Sequence, residues 1–198
     1  AEILVRRAAR DLPAVILRPT IVTSDMRTGY APATSAFFRL LYALASGTLS
    51  VIPGRPETLL DLVSLDYVAE AAFSIGCNPE MTGRCFHLSA GVENLVSLGD
   101  LRDLSCATFG RDGIQILPPE EFLPWAADQR RAVPSMGPLL EEMEFYLPYL
   151  SHHPLFDNRN TRDALKGREV GEVPIQEYFD KVAAFVGKRA RRGRPFKG

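Results

Sequence analysis

Cysteine is scarce in this chain of 198 residues: Cys77, Cys85 and Cys106 are the whole complement. The number is odd and no Cys-x-x-Cys pair occurs, so neither a zinc site nor a disulfide framework is expected. No metal site is expected elsewhere. A reduced, cytoplasmic setting is the default expectation. No apolar run approaches the ~20 residues of a membrane span, so no transmembrane segment is expected. The opening residues are charged and helical in pattern, unlike a secretory signal. No Met opens the chain, which fits a trimmed or fragmentary polypeptide. Glycines are present, yet none forms G-x-G-x-x-G or G-x-x-G-x-x-G, the turn that lets backbone approach a pyrophosphate. No tyrosine has a lysine four residues later.

The residues that are present suit a globular protein. Hydrophobic residues make up 46% and the formal net charge is −1. The length allows one domain, or one domain and part of another. Charge is uneven at the end. Lys188, Arg189, Arg191, Arg192, Arg194 and Lys197 put six cations in the last eleven residues, with no acid among them. The rest of the chain therefore carries about −7. With no aromatic ladder or nucleic-acid motif beside it, this tail reads as a linker or a disordered end. No specific nucleic-acid partner is expected.

Periodicity places the elements. Residues 1–11 read as an amphipathic helix with Ile3, Leu4 and Ala8 on one side, stopped by Pro13. The run Ala14-Val15-Ile16-Leu17-Arg18 reads as a buried strand, ending at Pro19. Residues 20–33, rich in Thr, Ser, Asp, Gly and Pro, read as an irregular loop. Thr34 or Ser35 caps a helix to about Ser46, with Gly47 as its stop. Strands are expected at 49–52, 84–89 and 114–117, and 59–63 reads as a further apolar stretch with Asp61 inside it. Helices are expected from Ser64 or Asp66 to Ile75, then at 98–109, 120–132, 135–150 and 175–186. Residues 151–172 read as irregular.

Helix, apolar strand, then a polar loop opening at the strand's end is how open α/β sheets build ligand sites. That makes the segment from Pro19 to Ser24 the leading candidate, with Arg18 otherwise free to pair a surface acid. Asp61 and Asp66 flank a strand-to-helix turn. Asp66 is expected to cap the helix and Asp61 to bond local backbone. His87, between Phe86 and Leu88, reads as a packed or edge histidine. Trp125 reads as a core or contact residue. The spacing from His152 to Asp157 has neither nucleophile nor oxyanion site around it and reads as coincidence.

The order of these signals resembles the C-terminal half of an extended short-chain dehydrogenase/reductase. Within that group it is most similar to the thioester-reductase and fatty acyl-CoA reductase branch. Ala1-Glu2-Ile3-Leu4-Val5 matches the stretch just after that family's catalytic lysine, and Arg18-Pro19 matches its strand end. Val22, Asp25, Thr28 and Gly29 match the loop I-x-x-D-x-x-T-G. The run Asp61-Leu62-Val63-Ser64-Leu65-Asp66-Tyr67-Val68-Ala69 matches D-x-V-x-x-D-x-V-A, and Phe86-His87-Leu88-Ser89 resembles the returning strand. The match covers roughly residues 1–110, weakens to 150, and returns loosely at Phe156-Asp157 and Ala164-Leu165.

The resemblance implies an α/β fold: the C-terminal part of a doubly wound Rossmann-type sheet, with strands near 14–18 and 84–89, plus a smaller, mostly helical substrate domain. It implies residues 1–33 as the end of the Rossmann-type domain, 34–82 as a mixed segment on the substrate side, 83–91 as the returning strand, 92–187 as the substrate domain and 188–198 as the tail. The implied parent is an oxidoreductase that reduces an acyl thioester or related carbonyl with NADP or NAD. The family's catalytic Ser, Tyr and Lys have no counterpart in this chain, so no catalytic residue is assigned. Pro19, Thr20, Val22 and Ser24 are implied at the cofactor, and Thr23 is a second hydroxyl within phosphate reach. Asp25, Arg27 and Thr28 are implied at substrate entry. Phe37 and Phe38, with Leu41 and Tyr42, are candidate acyl-channel residues. Partners implied are the missing Rossmann half or further domains, the acyl thioester, and a second copy of the chain. A nucleotide-sugar epimerase or dehydratase fragment and a non-catalytic binding module are the alternatives.

Overall fold

The structure, a computed structural model, describes residues 2–151 and 154–191. His152 and His153 lie outside the described residues, as do Arg192, Arg194 and Lys197 of the tail. In chain order the elements are α1 (Glu2–Ala8), β1 (Ile16–Pro19), β2 (Ile21–Val22), α2 (Ala36–Ser46), β3 (Val51–Pro53), β4 (Leu59–Leu60), β5 (Leu62–Val63) and α3 (Leu65–Gly76). They continue with β6 (Cys85–Leu88), β7 (Val96–Ser97), α4 (Leu98–Phe109), β8 (Gln115–Leu117), α5 (Pro119–Ala132), α6 (Gly137–Ser151), α7 (Arg159–Leu165) and α8 (Phe179–Arg191).

β1 and β6 pair in parallel, from Ile16 opposite Cys85 to Pro19 opposite Leu88. These are the two strands expected to neighbour each other. β6 alternates as expected, with Phe86 and Leu88 fully buried and Cys85 and His87 only partly so. Burying two such side chains contributes about 2 kcal/mol each. β1 departs from expectation. It begins at Ile16, Ile16 and Leu17 are only half-buried, and Arg18 and Pro19 are exposed. The reason is that β6 is its one strand partner among the described residues. α1 likewise buries nothing, and Ile3 and Leu4 stand about two-thirds exposed.

Among the described residues there are three further strand pairs: β2 with β5 and β3 with β8 in parallel, and β4 with β7 antiparallel. The apolar stretch 59–63 is thus two short strands hinged at Asp61. β2 and β7, two residues each, lie where no strand was expected. α7 replaces part of the irregular stretch expected at 151–172, and packs on β6 and α3. A 3-10 turn occupies Ile175–Glu177, so the last α-helix starts later than expected and runs beyond Gly187 to Arg191.

α2 shows how sequence sets one boundary pair. Ser35 Oγ accepts from the Phe38 amide, and Gly47 (φ 76°) closes the helix in the left-handed region. The apolar stripe between those caps joins the larger core, in which Phe38, Leu41, Leu44, Ile52, Leu98, Phe122, Leu140 and Val182 are buried. A smaller core, with Tyr67, Ala71, Ile75, Phe86, Leu88 and Leu165, sits under β6 between α3 and α7.

Candidate functional site

The strand ends converge on one carboxylate. The Thr20 amide donates to the Leu88 carbonyl (3.1 Å), and Thr20 Oγ1 donates to Asp61 Oδ1 (2.8 Å). The Ala90 amide donates to the same Asp61 oxygen (2.8 Å). Asp61 therefore joins the ends of β1 and β6 from the β4–β5 hinge. The expected bond to local backbone is replaced by partners 29 and 41 residues away, because the parallel register brings Ala90 and Thr20 to the hinge. Burial pushes the Asp61 carboxyl above its ordinary pKa, against the opposing pull of the Ala90 and Thr20 hydrogen bonds. Arg18 pairs with Glu2 across the exposed strand and also touches His87 Nε2 (3.1 Å).

The loop after β2 is closed on itself. Asp25 Oδ1 accepts from the Arg27 amide (3.0 Å), the Thr28 amide (2.7 Å) and Thr28 Oγ1 (2.7 Å). The Thr28 hydroxyl, chiefly, holds the Asp25 carboxyl below its ordinary pKa. Asp66 accepts from the Met26 amide with both oxygens, at 2.9 and 3.1 Å. That corrects the expectation that Asp66 caps α3. Ser64 is the cap, accepting from the Tyr67 amide at 3.1 Å. Its extended backbone suits a cap, whereas Asp66 is already one residue inside the helix. Gly29 (φ 71°) lets the loop approach the Lys181 backbone, and Thr23 Oγ1 shares a hydrogen bond with Tyr178 Oη (2.9 Å).

Beside this junction lies a cavity of about 440 Å³. Thr20, Ile21 and Asp61 stand at the strand ends, with Phe156 also in its lining. One wall is α2, through Ala36, Phe37, Arg39 and Leu40. The facing wall is α6, through Leu139, Glu142, Met143, Tyr146 and Tyr149. The floor is apolar: Ile52, Leu60, Leu62, Leu98 and Leu101. Arg39 and Glu142 form an ion pair between the two walls. An apolar lining with a few charged groups is the make-up of a site for a largely apolar ligand.

Of the residues singled out from sequence, Thr20, Phe37 and Asp61 line the cavity. Pro19 sits exposed at the adjoining strand end, and Val22 is half-buried in β2. Ser24 is fully buried, and its carbonyl accepts from the Leu65 amide. The bulk of the β2–α3 junction closes it off from any phosphate in this arrangement. Asp25 and Thr28 satisfy each other, and the Arg27 side chain is mostly exposed, away from the cavity lining. Phe38 points into the core against Tyr42 and Phe185, because one residue's step around α2 separates it from Phe37. Sequence reasoning did not single out Arg39, Glu142 or Tyr146. A signal was available in α6, where Phe145, Tyr146 and Tyr149 put three aromatic rings on an exposed surface.

The family model described as male sterility protein, an NAD-binding family, matches residues 1–72. The probable fatty acyl-CoA reductase 4 of Arabidopsis thaliana is 27% identical over 128 residues, covering 59% of this chain and 26% of that protein. The terminal R domain from the myxalamid PKS-NRPS biosynthetic pathway superposes with a TM-score of 0.75 at 26% identity, covering 98% of this chain and 49% of that one. A thiolation-reductase di-domain from an archaeal non-ribosomal peptide synthetase superposes with a TM-score of 0.66 at 20% identity, covering 96% and 39% respectively. The fold is thus α/β of Rossmann type, carrying the later strands of the sheet and a helical part. The chain spans about a quarter of the Arabidopsis reductase and half of the myxalamid R domain.

Proposed function

We propose that this chain, which belongs to the thioester-reductase branch of the extended short-chain dehydrogenases/reductases, is the substrate-side portion of an NAD(P)-dependent reductase of acyl thioesters. One observation carries the reading: an apolar cavity lined by α2 and α6 also takes in Thr20 and Asp61, the pair that joins the ends of β1 and β6. Parallel α/β sheets place ligands outside the carboxyl ends of their strands. An acyl chain in the cavity would therefore leave its thioester carbonyl at the strand ends. A bound NADPH would supply hydride to that carbonyl. Exposed Pro19, together with Thr20, fits a place beside the nicotinamide. The chain offers no pyrophosphate turn, so the remainder of the cofactor would rest on a Rossmann half of the kind that the longer relatives have room for. The open edge of β1 and the exposed Ile3 and Leu4 of α1 suit that partner.

The residue ranges expected for the Rossmann end, the substrate side and the returning strand are retained as part of this proposal, with a cytoplasmic setting. No helix among the described residues is long and apolar enough to cross a membrane. The apolar lining counts against a nucleotide sugar, whose diphosphate and hydroxyls need many polar partners. Calorimetry tests the reading. Decanoyl pantetheine should bind the full chain in the micromolar range, and Ala36→Trp, which fills the cavity wall, should abolish binding. Unchanged affinity in Ala36→Trp would overturn it.

A further inference from the structure

His87 joins separate parts of the chain. It lies on β6 and is half-buried. Its Nε2 stands 3.1 Å from Arg18 Nη1 on β1, and its Nδ1 stands 3.2 Å from the Asp157 carbonyl oxygen, between α6 and α7. A guanidinium only donates and a carbonyl only accepts. Both contacts are therefore hydrogen bonds in one form of the ring alone: uncharged, with the proton on Nδ1 and the lone pair on Nε2. Arg18 is also paired with Glu2 of α1, so the donor is held from its other side.

The same ring packs against Phe156, with centroids 5.4 Å apart and planes at 57°. Phe156 and Pro154 line the cavity, whereas His87 stays outside its lining. Other groups tie down the residues that follow. Asn158 Nδ2 donates to Glu172 Oε1 (3.0 Å), and Thr161 Oγ1 donates to the His87 carbonyl (2.7 Å). Those bonds fix the start of α7. The His87 ring grips Phe156 itself and the carbonyl next to it.

We infer that His87 is a positioning residue: as the Nδ1–H tautomer it sets Phe156 in the cavity wall through the Asp157 carbonyl, and so tightens the binding of an acyl chain. This rests on the acyl reading of the cavity. Asparagine and glutamine divide the ring's two nitrogens. The asparagine amide hangs from Cγ, as Nδ1 does, and can donate to the Asp157 carbonyl. The glutamine amide stands one bond further out, at the place of Nε2, and meets Arg18 instead. Both lose the ring that packs on Phe156, so the difference between them isolates the Asp157 bond.

The test is calorimetry on the full chain with decanoyl pantetheine, beside nitrogen NMR of the histidine rings, with the His87 signals identified by their loss in His87→Asn. Free uncharged histidine favours the proton on Nε2, so a proton on Nδ1 is diagnostic, and that is the form expected here. His87→Gln should bind decanoyl pantetheine about fivefold more weakly than His87→Asn, the factor of one hydrogen bond of ordinary net strength. In a Phe156→Leu background, which keeps the wall apolar, the two should bind alike. A loss caused by general loosening of the fold would persist there. The inference falls if the proton sits on Nε2, if His87→Gln binds as tightly as His87→Asn, or if the gap survives Phe156→Leu. Any of these with binding by the unaltered chain intact removes this inference alone. Failure of the unaltered chain to bind removes the acyl reading and the positioning role with it.

Discussion

Asp66 and Ser64 sit two residues apart at the start of α3, yet the structure gives them separate duties that one experiment can divide. Ser64 Oγ holds the Tyr67 amide, a local cap. Asp66, nearly buried, holds the Met26 amide forty residues away and so pins the loop after β2. Ser64→Ala should cost about 1 kcal/mol, the usual worth of a cap. Asp66→Ala removes a hydrogen bond to a charged acceptor and leaves a partly buried amide unpaired, so about 2 kcal/mol is expected. The location of the loss is the sharper readout. In native-state hydrogen exchange, Asp66→Ala should speed the Met26 amide about thirtyfold, the equivalent of 2 kcal/mol, and leave the Tyr67 amide slower to respond. Ser64→Ala should do the reverse. Asp66→Asn keeps an acceptor without the charge and should fall between wild type and Asp66→Ala. If Asp66→Ala instead frees Tyr67 and leaves Met26 protected, Asp66 is the cap and the loop is held by something else.

Two further outcomes are expected of the same region. A Cβ on Gly29 would stand 2.0 Å from the Lys181 carbonyl oxygen at a φ of 71°, so Gly29→Ala should lower urea stability by at least about 2 kcal/mol. Gly83→Ala, at a φ of 79° with open space around it, should cost only about 1 kcal/mol; equal losses would show that the approach to α8 carries no weight. Burial, eased by the Thr23 hydrogen bond, raises the Tyr178 phenol to about 12. The folded state thus holds this proton more tightly than the unfolded chain, whose phenols titrate near ~10. The associated stability is complete below pH ~10 and is lost as pH rises from there towards 12. Tyr178→Phe should make the alkaline decline of urea stability shallower, and a slope as steep as wild type would refute it.

Local chemistry explains which features were legible in the sequence. Ser35 and Gly47 bounded α2 because caps act within three residues. The alternation of Phe86 and Leu88 marked β6 for the same reason. The strand hinge at Asp61 was not legible, since its partners Thr20 and Ala90 come near only through parallel register. Nor was α7, whose seven residues are too few to show a period; buried Thr161 and Leu165 hold it against β6 and α3.

The cavity illustrates a deeper limit. Apolar residues of α2 at helical spacing look the same whether they face a packed core or a hollow, and Phe37 and Phe38 divide between the two. The residue that breaks that ambiguity is polar. An arginine on a half-buried helix face has to answer to a partner from elsewhere in the fold, here Glu142 on α6. In sequence, Arg39 among Phe37, Phe38, Leu40 and Leu41 reads as a charge on an otherwise apolar stripe. In space it pairs with Glu142 across the cavity that the two helices line. A charged residue inside an apolar helical stripe is thus a better guide to a cavity wall than the apolar residues that line it, since a half-buried cation needs a partner that a leucine does not.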